Sequence, residues 1–127
     1  MIKNPTAYMA SVWNYDFMAD NLPGKCRMSD IDAILERKGN LLVIEIKAPN
    51  AGVPVGQLIL LKAMVKAGNT TVYYLWGNTD VPEHYQRLRK DKFSGECMLS
   101  EKIPTDATHF AKIIGNWFDW ANKHPKD

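Results

Sequence analysis

The segment DIDAILE, residues 30–36, and the segment LLVIEIK, residues 41–47, decide the fold of this chain. Both are rich in aliphatic and β-branched residues, and the polar connection RKGN, residues 37–40, contains the Gly that a left-handed turn position favours. We therefore predict two antiparallel strands, over residues 32–36 and 41–47. The second strand is apolar on both faces for its first four residues, which predicts a central strand covered on two sides.

Strand alternation brings two carboxylates of this hairpin together. A turn over residues 37–40 sets Asp32 opposite Glu45. Like charges that face each other on an apolar hairpin destabilise it, and a hard divalent cation such as Mg²⁺ would compensate because it binds carboxylate oxygens, backbone carbonyls and water. The predicted metal ligands are Asp32, Glu45 and the backbone carbonyl of Ile46. Lys47 projects from the same face, toward the bound water or a substrate phosphate.

The other periodic segments predict an α/β fold, a small mixed sheet flanked by helices. Helices are predicted over residues 6–20, 57–67 and 108–123. Residues 70–76 predict a strand that runs parallel to residues 41–47 after a right-handed crossover. Within residues 80–104, the basic run HYQRLRKDK, residues 84–92, is compatible with a short helix or with an exposed edge strand. The predicted apolar stripes are Leu60, Leu61, Met64 and Ala67 in the second helix and Phe110, Ile113, Ile114, Trp117 and Ala121 in the third, whose predicted N-cap is Thr108.

Composition sets the outer limits of the interpretation. With 127 residues, 46% of them hydrophobic, and a net charge of +2, the chain predicts one globular domain over residues 1–127. Cys26 and Cys97 form no CxxC or Cys/His pair, which argues against a disulfide scaffold and a structural zinc. The first residues lack the apolar core of a signal peptide, and no apolar stretch approaches the ~20 residues of a membrane span. We expect a soluble cytoplasmic protein with no membrane partner.

Asp32, the triplet Glu45-Ile46-Lys47 and Gln57 resemble the PD-(D/E)xK phosphodiesterases, the restriction-endonuclease-like superfamily. The order of an ExK triplet, a short Gly/Pro loop and a Gln at the head of a helix is similar to that of the virus-type replication-repair nuclease domains. The resemblance covers residues 30–76 and implies a restriction-endonuclease-like αβββαβ core, with the acidic pair on a hairpin.

The resemblance does not fix every acidic position. The Pro of the motif is absent, since Ile31 precedes Asp32, and the letters alone leave Asp30 and Asp32 both open. Asp32 is favoured as the metal ligand because the hairpin sets it opposite Glu45. Asp30 would then be an auxiliary ligand that binds the metal through a water molecule. Some members of the superfamily use an acid of the first helix, for which Asp16 and Asp20 are candidates by position.

The resemblance implies a Mg²⁺-dependent DNA nuclease, with endonuclease activity favoured and Mn²⁺ able to replace Mg²⁺. Asp32 and Glu45 would hold a metal that activates water. Lys47 would orient the resulting hydroxide or neutralise charge on the phosphate, and Gln57 would fix the nucleophile's surroundings or a substrate phosphate. The expected partners are DNA and a second copy of the chain in a homodimer, with no nucleotide cofactor. The expected settings are DNA repair or recombination, or a phage or mobile element in its host's cytoplasm. Basic residues that could line a substrate groove are Lys25, Arg27, Arg37, Lys38, Arg87, Arg89, Lys90 and Lys92.

Two alternatives compete with the nuclease interpretation. A catalytically silent, nuclease-like module that binds nucleic acid or protein would have lost an acid or the Lys, but Asp32, Glu45 and Lys47 are all present. The segment SDIDAIL, residues 29–35, also resembles the DxD strand of nucleotidyltransferases. The loop over residues 22–27 lacks the Gly-Ser expected of that class, and the later acid is followed by Lys, which disfavours this reading.

Overall fold

A computed structural model describes residues 15–126, and the chain divides into two units, Met1–Asp30 and Ile31–Asp127. The described part of the first unit contains a short 3-10 helix, Asp16–Ala19. The helix predicted over residues 6–20 therefore lies mostly outside the described residues, and its last turn is 3-10 rather than α-helical. The expectation of one domain over residues 1–127 stays a prediction.

The second unit is an α/β fold whose described residues form a mixed six-stranded sheet and two α-helices. In chain order the elements are β1 (Ala33–Arg37), β2 (Asn40–Lys47), α1 (Val55–Lys66), β3 (Thr70–Asn78), β4 (Val81–Lys90), β5 (Cys97–Leu99), β6 (Ile103–Pro104) and α2 (Ala107–Lys123). The strands lie in the order β1-β2-β3-β4-β5, and β6 also pairs with β4. β2 and β3 are parallel, as predicted, and the other pairs are antiparallel.

The register predicted for the first hairpin is confirmed. Glu36 pairs with Leu41, and the same register continues to the start of β1. The turn is tighter than the four residues expected, because only Lys38 and Gly39 lie outside the ladder. Their φ angles are 55° and 82°, as a two-residue turn that matches the twist of its strands requires. The next pair in this register, beyond the first residue of β1, is Asp32 with Glu45.

We expect Gly39→Ala to lower the free energy of unfolding by about 1–3 kcal/mol. An alanine at position 39 would have to adopt a left-handed φ, and its Cβ would overlap the backbone carbonyl oxygen of Lys126. Lys126 is held there because its backbone N–H donates to the carbonyl of Lys38 at 2.7 Å. Urea denaturation measures the change. Gly115→Ala is the control, because its added Cβ meets no atom within 4 Å on α2, and it should stabilise by roughly 0.5–1 kcal/mol. Equal midpoints for wild type and Gly39→Ala would contradict the turn geometry.

The two helices cover opposite faces of the sheet. The core beneath α1 has as its buried members Val43, Leu61, Val72, Tyr74, Trp76, Leu88 and Cys97. The core beneath α2 has Leu42, Ile44, Tyr73, Phe110, Trp117 and Ala121. Because successive strand residues alternate between faces, β2 and β3 contribute to both cores. The prediction that β2 is a central strand covered on two sides is confirmed.

Of the two alternatives left open for residues 84–92, the strand is confirmed, but its predicted place at the edge of the sheet is wrong. β4 is a ten-residue interior strand, with β3 on one side and β5 and β6 on the other. Pro82 is tolerated because it lies beside a register irregularity at Trp76 and Gly77, where a missing N–H breaks no regular ladder. The sequence of β4 does not look like an interior strand, because it contains several basic residues and only Leu88 is buried.

Three details of the predicted helices are wrong: the start of α2, its N-cap and the apolar stripe of α1. α2 begins one residue earlier than expected, and its N-cap is Asp106 rather than Thr108: the Asp106 side chain accepts a hydrogen bond from the backbone N–H of His109 at 2.8 Å. Ala67 follows the end of α1 and is exposed. The α1 side chains that pack on this core are Leu58, Leu61, Met64 and Val65, and Leu60 of the predicted stripe is not among them. Among residues 15–126, no helix combines the length and apolar character needed to cross a membrane.

Candidate metal and catalytic site

Glu45 is the buried centre of a polar cluster between β2 and α1. Glu45 carries a carboxyl group, which is usually exposed to water, but the residue is only 1% exposed. Gln57, in the first turn of α1, points toward the sheet, and its Nε2 donates a hydrogen bond to Oε2 of Glu45 at 2.9 Å. The helix and the central strand are therefore linked by a polar contact in an otherwise apolar interface.

Asp32 is fixed beside Glu45 by the backbone of β2. It precedes β1, and its Oδ2 accepts a hydrogen bond from the backbone N–H of Ile46 at 2.8 Å. This bond holds the Asp32 side chain across the hairpin, one residue before β1 begins. The facing of Asp32 and Glu45 that strand alternation predicts is thus supported by a direct contact at the neighbouring residue.

The environment of Glu45 favours its protonated form. Burial is the largest cause, the Asp32 carboxylate adds to it, and the Lys47 ammonium opposes it, so that the pKa of Glu45 rises to about 7. Tyr74 pairs with Glu45 in the β2–β3 register. Burial, and then the charge of Glu45, raise the pKa of the Tyr74 hydroxyl to about 12. The site therefore contains acidic groups that resist ionisation unless positive charge is brought to them.

Three oxygens of this cluster are buried without a hydrogen-bond partner among the described residues: Oε1 of Glu45, Oε1 of Gln57 and the hydroxyl of Tyr74. Buried polar atoms that lack a partner destabilise a fold by about 1–3 kcal/mol each, so that unpaired oxygens call for an explanation. Carboxylate and amide oxygens are donors that Mg²⁺ and Ca²⁺ accept. The donor set therefore fits a hard cation.

The protein ligands for such a cation are few. Within residues 15–126, no group of three or more His, Cys, Asp or Glu side chains is placed to hold a metal. A cation here would depend on Asp32 and Glu45, with backbone or amide oxygens and water completing its coordination, which is the way in which Mg²⁺ commonly binds. The role predicted for the Ile46 carbonyl stays a prediction.

Lys47 lies two residues beyond Glu45 on β2, on the same face, and is half-buried. It pairs with Trp76 of β3, whose indole Nε1 donates to the carbonyl of Ala51 at 2.7 Å. This bond anchors the loop between β2 and α1. The imidazole of His84 stacks on Trp76 with ring centroids 4.9 Å apart. The end of β2 that carries Lys47 is therefore bordered by a rigid aromatic pair.

The predicted auxiliary acids belong to the first unit. Asp16, Asp20 and Asp30 line one cavity of about 450 Å³ in that unit. Their proposed role as metal ligands stays a prediction. Of the predicted basic groove, Arg37 is engaged in the fold, because it hydrogen-bonds to Asn122 and its guanidinium carbon lies 5.0 Å from the ring centroid of Phe118.

Sequence reasoning missed Tyr74 as a member of the site. Its position in TTVYYLW is typical of a core strand residue. Only the parallel register of β2 and β3, which sets Tyr74 beside Glu45, shows that its hydroxyl belongs to the polar cluster. The available signal was that a Tyr hydroxyl in a buried strand needs a partner.

The fold and the site together define an α/β protein with a mixed sheet and a buried acid on its central strand. Comparisons of the chain with models of protein families, with curated proteins and with solved structures find no match. Because one fold can carry many activities, the chemistry of the site is the basis for a functional proposal.

We expect the stability of the metal-free protein to fall as the pH rises from about 4.5 to above 7. Because folding raises the pKa of Glu45 from 4.5 to about 7, the folded state binds more protons than the unfolded state in this window, and stability declines with pH. The loss should approach about 3 kcal/mol at most. Urea denaturation at a series of pH values measures it.

Glu45→Gln is the matched variant for this measurement, because the amide is uncharged at every pH. Its stability should vary less with pH over the same window, and millimolar Mg²⁺ should reduce the slope of the wild type by stabilising the ionised carboxylate. Identical pH profiles for wild type and Glu45→Gln would contradict the raised pKa.

Proposed function

We propose that this protein is a Mg²⁺-dependent DNA nuclease, with endonuclease activity, of the PD-(D/E)xK type. The observation that carries the proposal is the buried carboxylate of Glu45, with one unpartnered oxygen, held beside Asp32 on a strand that continues to Lys47. An acidic pair that burial and mutual repulsion disfavour is what a cation-binding site requires, and an adjacent ammonium group suits a phosphate substrate.

The topology supports a restriction-endonuclease-like core in part of its length. A hairpin, β1 and β2, is followed by α1 and then by β3, parallel to β2. This order corresponds to the later ββαβ portion of the proposed αβββαβ core. The described residues place two strands before α1 where that core has three.

Each polar residue of the site has a separate role in the proposed hydrolysis. A bound Mg²⁺ would supply Lewis acidity and a water of lowered pKa. Asp32 and Glu45 would hold the cation, and Gln57 would orient Glu45 through the bond to its Oε2. Lys47, on the same face, would neutralise charge that develops on the phosphate or orient the attacking hydroxide. The Tyr74 hydroxyl, with its raised pKa, stays protonated and can donate a hydrogen bond to Glu45 or to a bound water.

The substrate class follows from the same groups. A phosphodiester matches a site that combines a hard cation with an ammonium group, and DNA is the polymer that the resemblance over residues 30–76 suggests. Mn²⁺ should replace Mg²⁺, because both accept oxygen ligands. A homodimer would let two such sites cut two strands.

Incubation of the protein with labelled duplex, junction, flap and single-stranded DNA and with RNA, in Mg²⁺, Mn²⁺ or EDTA, tests the proposal. We expect cleavage of DNA in either metal and none in EDTA. Binding to DNA without cleavage in any metal would favour the silent-module alternative. Transfer of a nucleotide from an added nucleoside triphosphate, without hydrolysis of DNA, would favour the nucleotidyltransferase alternative.

A further inference from the structure

A second site lies on the opposite face of the sheet from Glu45. A cavity of about 360 Å³ has strand residues of β3 and β4 as its floor and one side of α2 as its wall. The lining residues are Thr71, Tyr73, Arg87, Ile113, Asn116, Trp117 and Trp120. Tyr73 faces α2, whereas the next residue, Tyr74, faces α1 and Glu45, so the two sites are separated by the thickness of the sheet.

The positive charge of Arg87 suits this cavity to an anionic ligand. Its guanidinium carbon lies 5.6 Å from the ring centroid of Tyr73, and its Nε is buried with no hydrogen-bond partner among the described residues. A buried guanidinium N–H without a partner is destabilising, and a phosphate or carboxylate would satisfy it by a charge-assisted bond. The backbone of Arg87 is fixed by two hydrogen bonds to Ser100, each 2.8 Å long. The Arg87 N–H donates to Ser100 Oγ, and the Arg87 carbonyl accepts from the Ser100 N–H.

Aromatic side chains give the cavity a preference for a flat ring. Trp120 is 45% exposed, and its ring is held by stacking on His124, with centroids 4.8 Å apart. The indole N–H of Trp117 is bonded to Thr71 Oγ1 at 3.2 Å, which leaves the threonine hydroxyl proton and the Asn116 amide as polar groups for a ligand. Stacking on such residues binds bases of any sequence, worth about 1–3 kcal/mol per base.

The cavity continues along the sheet. A neighbouring cavity of about 280 Å³ shares Tyr73, Arg87 and Ile113 and adds Arg89, the next residue on the same face of β4. The other residues that line the second cavity are Tyr85, Ser100, Glu101 and Ile103. The two arginines therefore follow one groove, which we call the α2 groove and define by the residues that line these two cavities.

We propose that the α2 groove binds a nucleotide unit, with the base against Trp120 and the phosphate on Arg87. This binding does not depend on the proposed nuclease activity, because none of the residues of the acidic site, Asp32, Glu45, Lys47 and Gln57, lines the groove. The shared chemistry, a planar base joined to a phosphate, has two sources: a free nucleotide and a residue of a single-stranded nucleic acid.

Binding measured in EDTA, which prevents metal-dependent cleavage, tests this proposal. The probes are AMP, followed by quenching of tryptophan fluorescence, and a labelled short oligodeoxyadenylate, followed by anisotropy. We expect saturable binding of at least one probe, with adenosine alone and inorganic phosphate alone binding more weakly. Binding of the oligonucleotide only would identify the polymer as the source, and equal binding of AMP would identify the free nucleotide.

Arg87→Gln and Trp120→Ala should each weaken binding by about tenfold. Trp120→Ala changes a partly exposed side chain, so the proposal stays testable if Arg87→Gln does not fold. Lys112→Ala, exposed on α2 outside the groove, is the matched control and should bind as the wild type does. Absence of binding by both probes, or binding that neither groove variant weakens, would overturn the proposal.

Discussion

Replacement of Glu45 by Gln, or of Asp32 by Asn, should reduce DNA cleavage on the order of a thousandfold. Both changes keep the size of the side chain and remove the negative charge that would hold the cation. In Glu45→Gln, the side-chain oxygen can still accept the hydrogen bond that Gln57 donates to Glu45. Initial rates of cleavage at saturating Mg²⁺ measure the effect.

Stability separates loss of the site from loss of the fold. Because burial disfavours the charge of Glu45, Glu45→Gln should be at least as stable as the wild type at pH 8 without metal. Asp119→Asn, an exposed acid of α2, is the control for loss of one negative charge and should cleave at the wild-type rate. Full activity in Glu45→Gln or Asp32→Asn would remove the proposed mechanism.

Lys47→Ala should lower turnover about a hundredfold while changing the apparent affinity for Mg²⁺ only a few-fold. The ammonium group is assigned to the phosphate or the attacking hydroxide, and it is not a metal ligand. Single-turnover rates over a series of Mg²⁺ concentrations distinguish the two effects. Lys47→Arg should recover part of the rate, because it restores the charge with a different geometry.

The pH of this experiment matters. The charge of Lys47 lowers the pKa of Glu45, which is already raised from 4.5 to about 7. Removal of the Lys47 charge should therefore raise the pKa of Glu45 further and weaken metal binding near neutral pH. Measurement at pH 8 or above reduces this indirect effect. Lys66→Ala, at the exposed end of α1, is the control. Turnover unchanged by Lys47→Ala would reject the role given to this residue.

The parts of the site that the sequence predicts are those set by local geometry. Strand alternation and a short turn suffice to place Asp32 opposite Glu45, because a hairpin fixes its own register. Helical periodicity likewise directs Gln57 toward the sheet, where it meets Glu45. These contacts join residues that are close in sequence, and few alternative arrangements compete with them.

The features that sequence reasoning missed depend on register between distant segments. The parallel register that brings Tyr74 to Glu45 joins two strands that α1 separates in sequence, so no local pattern encodes it. The interior place of β4 is missed because an interior strand is expected to be apolar, while β4 keeps its charges partly exposed and buries only Leu88. The α2 groove joins β3, β4 and α2, so its members cannot be grouped from the sequence.

The alternation of Tyr73 and Tyr74 along β3 limits how this chain can change during evolution. Substitutions on one face of the strand leave the side chains of the other face in place, so the acidic site and the α2 groove can diverge independently. Insertion or deletion of one residue within Val72–Trp76 would instead exchange the two faces for every residue beyond it. We therefore expect homologues to vary in the residues of β3 but to conserve its length.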